Sequence, residues 1–75
     1  MQILQHIGAK TSVMEEKISM KDAKKILADI AKGHPKGEWK NGKWQGAGLR
    51  KDGKVLEINY LNHPFIQYEI LEDNK

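Results

Sequence analysis

The sequence predicts an α+β domain, with one antiparallel β-sheet of three to five strands covered on one face by a single helix near residues 20–32. Three features carry that expectation. An apolar stripe at helical period runs from Met20 to Ala31, Asn41-Gly42 separates two strand-like runs, and Asp52-Gly53 separates two more. With 75 residues the chain makes one small domain, residues 1–75. A domain of that size buries only about 60% of its unfolded surface. It has no cysteine, so neither disulfides nor a cysteine zinc site can add stability. The core must therefore come from packing the helix on the sheet, or from self-association.

At the N-terminus, Gln2–Ile7 reads as an edge strand. Val13–Ile18 is open to two readings. Ser12 with Glu15 could start a helix, while the β-branched ends of the segment suit a short strand. The helix that follows is signalled at both ends. Met20, Ala23, Ile26, Leu27, Ile30 and Ala31 form one stripe, with Lys21, Asp22, Lys24, Lys25 and Asp29 on the other side. Ser19 is placed to cap the first turn, with Asp22 three residues later. Gly33 is expected to close the helix in the left-handed conformation, and Pro35 prevents its continuation.

Glu38–Gln45 predicts a two-residue hairpin, because Asn-Gly suits a type I′ turn. Counting outward pairs Lys40 with Lys43 and Trp39 with Trp44, the tryptophans at a non-hydrogen-bonded site where side chains come closest. Such a pair could stabilise the hairpin by roughly 0.5–1.5 kcal/mol beyond its area burial. A two-residue turn at Asp52-Gly53 would set Leu49 opposite Leu56, Ala47 opposite Ile58 and Arg50 opposite Val55. After a turn at Asn62-His63-Pro64, Phe65–Leu71 alternates as a last strand. Leu49, Leu56, Ile58, Tyr60, Ile66, Tyr68 and Ile70 then form the face that the helix covers. Glu72–Lys75 reads as a polar, frayed end.

Charge is concentrated in the middle. The formal net charge is +3, yet residues 32–54 carry Lys32, Lys36, Lys40, Lys43, Arg50, Lys51 and Lys54 against only Glu38 and Asp52. Lysines around turns can simply keep a small protein soluble. Strand alternation suggests more. Leu49 belongs to the core face, so Trp44, Gly46, Gly48 and Arg50 belong to the uncovered one, and Trp39 follows Trp44. An aromatic surface bordered by cations, with glycines allowing close backbone approach, suits base stacking beside phosphate. The expected ligand-binding residues are Trp39, Trp44, Arg50, Lys40, Lys43 and Lys51, and the expected partner is single-stranded nucleic acid or a nucleotide. Two bland readings compete: the tryptophans only hold the hairpin together, or a bulge at Gly46 or Gly48 reverses the parity and buries them.

The run Gly37-Glu38-Trp39-Lys40-Asn41-Gly42-Lys43-Trp44-Gln45-Gly46-Ala47-Gly48 resembles one MORN repeat, whose pattern is roughly G-x-W-x-x-G-K-x-x-G-x-G. No second copy follows, and Val55–Tyr60 lacks the next aromatic-glycine start. MORN units work as stacked arrays, so one unit implies a hairpin and no function is carried over.

The alternative is a protein-interaction or inhibitor domain, or a homo-oligomer, using the same aromatic face. A third reading is a ribonuclease in which His34 and His63 act as acid and base beside Lys40, Lys43 or Lys51. Each of these histidines precedes a proline, which places both in turns. No catalytic, metal or cofactor site is expected. The chain has no H-x-x-H, no phosphate loop and no apolar run of the ~20 residues that cross a bilayer. A cysteine-free chain without a signal peptide is expected in the cytoplasm, with no membrane partner.

Overall fold

The computed structural model describes residues 1–72 and has the order β1 (Gln2–Ile7), β2 (Lys10–Glu15), α1 (Met20–Lys32), β3 (Glu38–Lys40), β4 (Lys43–Leu49), β5 (Val55–Asn59) and β6 (Ile66–Leu71). The class is as expected, α+β with one helix. The sheet, however, is an open antiparallel sheet of six strands in the order β2-β1-β6-β5-β4-β3. The expected frayed end at 73–75 lies outside the described residues.

The extra strands come from the N-terminal third. Gln2–Ile7 is an interior strand and not an edge, pairing with β2 on one side and β6 on the other. Of the ambiguous Val13–Ile18 segment, the first three residues end β2, which is itself the edge, and residues 16–18 are irregular. No helix starts at Ser12. A turn at Gly8, whose φ of 59° lies in the left-handed region, joins the two strands. One extra residue on β2 shifts the register between Ile3 and Leu4, which bends that edge.

α1 spans the predicted residues. Ser19 accepts a hydrogen bond from the Asp22 amide at 3.1 Å. Gly33 departs from expectation, with φ −80° and ψ 0° in the right-handed region. Its amide donates to the Ile30 carbonyl and that of His34 to Ala31, so a tightened last turn satisfies carbonyls that a left-handed cap would otherwise satisfy. Because β2 and β3 are opposite edges, the connection must cross the sheet. Six strands are about 24 Å wide, and a 13-residue helix is about 20 Å long. The helix therefore lies over the sheet as the crossover itself.

The register in the C-terminal half matches the sequence reading. Trp39 pairs with Trp44, Ala47 with Ile58 and Leu49 with Leu56, and the structure adds the pairing of Leu56 with Tyr68. Asn41 and Gly42 both have positive φ, 50° and 78°, as a type I′ turn requires. The connection at Asp52-Gly53 is wider than two residues. The Gly53 amide closes it onto the Arg50 carbonyl, and the Asp52 carboxylate accepts the Lys54 amide.

The core is Ile3, Ala23, Leu27, Ala47, Leu56, Ile58 and Ile70. Leu49, expected inside, is 39% exposed near the sheet end, whereas Ile3 enters because β1 lies beside β6. Four large aliphatic side chains, Ile3, Leu27, Leu56 and Ile58, are essentially fully buried. Each stabilises the fold by about 1.5–3 kcal/mol relative to exposure. Among the described residues no helix is long and apolar enough to cross a membrane.

Candidate nucleic-acid interface

The helix covers one face of the sheet and leaves the other open. On the open face the pairings align one row of Val13, Leu4, Glu69 and Val55, and a second of Thr11, His6, Gln67, Glu57 and Gly48. The first row is apolar but for Glu69, the second is polar, and the two are linked across strands. Imidazole Nε2 of His6 lies 3.0 Å from Glu69 Oε1 and its Nδ1 lies 2.9 Å from Thr11 Oγ1. The hydroxyl–imidazole–carboxylate connectivity resembles a nucleophilic triad, but it lies on a flat strand surface and stitches three strands together.

Trp44 marks the other end of this face. A Cβ built on Gly48 would approach its ring to 3.0 Å, and one built on Gly37 would overlap the ring. The indole therefore lies across the backbone of both glycines, on the side of Gly48, opposite the buried Ala47. Gly46 has φ 115°, yet the parity is not reversed. A Cβ on Gly46 would come within 2.8 Å of the Gly37 backbone, so these two segments are pressed together beneath the hairpin. An isolated parallel bridge between Lys36 and Ala47 holds that contact. Two sequence expectations change here. Gly48, expected to let a ligand approach, instead makes room with Gly37 for the chain's own tryptophan, and Gly46 is packed against the Gly37 backbone. Trp39 and Trp44 are in register, but Trp44 turns onto the glycines, and among the described residues the ring contacts all involve Tyr60.

Trp39 is left outside, at 75% exposure the most open large hydrophobic side chain described. The pleat sends Trp39 and Trp44 to one side of the hairpin and Lys40 and Lys43 to the reverse. Arg50 lies at the far end of β4, six positions from Trp44 or about 20 Å along an extended strand, and Lys51 follows it in the loop. Two of the four predicted cations are engaged: Lys40 with Glu38 at 3.2 Å and Arg50 with Glu57 at 3.6 Å. Lys43 and Lys51 have no ion pair among the described residues.

No protein-family model, curated protein or solved structure matches this chain. The MORN-like spacing is thus confined to a hairpin whose glycines receive a tryptophan ring.

One cluster lay outside what the sequence could reveal. His34, just past the helix, lies with Nδ1 2.8 Å from the Tyr60 hydroxyl and its ring 5.7 Å from that of Tyr60. His63 meets the same tyrosine edge-on at 6.4 Å. Both histidines, 29 positions apart in sequence, converge on Tyr60 because the helix ends where β5 ends. Beside them opens a cavity of about 190 Å³ lined by Lys43, Gln45, Asn59, Tyr60, Leu61 and Asn62. The pre-proline positions signalled turns for the histidines, but no local pattern signals which turns adjoin.

Proposed function

We propose that the chain is a non-enzymatic module that binds single-stranded nucleic acid along its β3–β4 hairpin and the open side of β4. The observation that carries this reading is Trp39, a large aromatic ring held outside a hairpin whose register is set without burying it. Trp39 stacks on one base. Trp44, seated on glycine backbone, offers its outer ring face to a neighbouring one. Arg50 and Lys51 neutralise phosphates farther along β4, and the long stems of Lys40 and Lys43 reach round the hairpin rim. Since about 20 Å separates Trp44 from Arg50, one extended chain can engage both ends and a mononucleotide cannot. That favours a strand over a nucleotide as the ligand of this surface. A cysteine-free chain suits the reducing cytoplasm, where we place it.

Fluorescence anisotropy of labelled single-stranded RNA and DNA tests the reading, with wild type beside Trp39→Ala. Base stacking worth about 1–3 kcal/mol predicts at least a fivefold loss of affinity in the variant. Equal affinity would remove Trp39 from the interface. No binding by wild type, with concentration-dependent self-association that buries Trp39, would favour the protein-contact reading instead.

A further inference from the structure

The cavity beside Tyr60 is lined by neither tryptophan, although it shares Lys43 with the proposed strand surface. Gln45 and Lys43 alternate with Trp44, so they project from the helix-side face of the hairpin, towards the end of α1. No carboxylate lines the cavity. Its one charged group is a cation, and the amides and hydroxyl beside it can donate as well as accept. Lys43 is free of an ion pair among the described residues, Gln45 and Asn62 bring side-chain amides, and the Asn59 amide is already spent on the Trp44 carbonyl at 2.8 Å. Tyr60 supplies a ring edged by Leu61. The negative end of α1 is nearby, but its Ile30 and Ala31 carbonyls are occupied by the Gly33 and His34 amides, which blunts its repulsion of an anion.

We infer that this corner binds one nucleoside monophosphate unit, with the phosphate on Lys43, Gln45 and Asn62 and the base against Tyr60 and Leu61. About 190 Å³ is below the ~300–1,000 Å³ of drug-sized sites, so the cavity seats part of one nucleotide and leaves the remainder over its open rim. The inference does not depend on the tryptophan surface, because a ligand held here touches neither Trp39 nor Trp44.

The test is an amide-resolved NMR titration with adenosine monophosphate, adenosine and inorganic phosphate, on wild type and on Lys43→Ala/Gln45→Ala. Adenosine monophosphate is expected to shift the amides of residues 43, 45 and 59–62 to saturation. Adenosine and inorganic phosphate should each bind at least fivefold more weakly, and the double variant should lose at least fivefold. Asn62→Gly, which keeps the left-handed turn at φ 69° while deleting the side-chain amide, should also weaken binding. Absence of saturable shifts, equal affinity for adenosine, or full affinity in both variants with intact spectra would overturn the assignment. Inorganic phosphate matching the nucleotide would overturn it as well, since the base would then contribute nothing.

Discussion

The indole of Trp44 rests on Gly37, a residue that precedes β3 and faces β4 across a bridge of backbone hydrogen bonds. The contact requires a residue with no side chain, because any Cβ there would lie inside the ring. It ties the hairpin, which projects from one edge of the sheet, to the strand that roots it. Gly37 has no positive φ, so the need for glycine here is steric and not conformational.

Gly37→Ala should accordingly displace Trp44 and destabilise the protein by about 1–3 kcal/mol, the usual penalty for overpacking. Urea denaturation followed by tryptophan emission measures both effects, and the native emission should shift to the red. Gly42→Ala provides the contrast. Nothing lies within 4 Å of a Cβ there, but its φ of 78° costs an alanine about 1–2 kcal/mol. It should lower stability and leave the native emission unchanged.

Leu27 is fully buried at the centre of the helix stripe. Leu27→Ala should cost about 2–5 kcal/mol. For a domain this small that is a large share of a total near 5–15 kcal/mol. Thermal unfolding by circular dichroism should show a midpoint lowered by more than 10 °C, whereas Trp39→Ala should leave it within about 3 °C, because Trp39 is mostly exposed.

Lys54 donates to Glu72 Oε1 at 2.9 Å, and that hydrogen bond, with the charge of Glu72, raises the lysine above its ordinary value. A lysine raised by folding stabilises the protein fully below its unfolded-state pKa, and the contribution disappears as pH climbs through the folded one. The effect is thus constant at neutral pH and fades only in strong alkali. NMR titration of the Lys54 ε-methylene should give a lower midpoint in Glu72→Gln than in wild type. An unchanged midpoint would mean that the pair is not formed in solution.

The local elements were legible because their signals are local. The Met20–Ala31 stripe, its Ser19 cap and the Asn41-Gly42 turn each lie within a few residues, and the paired positions of β3, β4 and β5 followed by counting. The N-terminal strands were not. Gly8-Ala9 is a weak turn signal, β2 is mostly polar, and β1 becomes interior only by pairing with β6, 59 to 69 positions away. The site was legible in part for the same reason. Alternation placed Trp44 on the open face and Lys43 on the reverse, but Gly37 meets Trp44, and His34 meets Tyr60, only through tertiary contacts.

The central claim is that phosphate and base meet at the hairpin, and a salt-dependent fluorescence titration addresses it most directly. In Trp44→Phe, Trp39 is the sole tryptophan, and its emission, excited selectively at the red edge, should be quenched as single-stranded RNA is added. Engagement of Lys43 and Lys51 alone predicts a slope of log affinity against log salt near about −1.4, and release of Lys40 and Arg50 from their acidic partners as well predicts about −2.8. Quenching with a slope in that range is the expected result. Unquenched emission, or affinity that does not change with salt, would contradict the account.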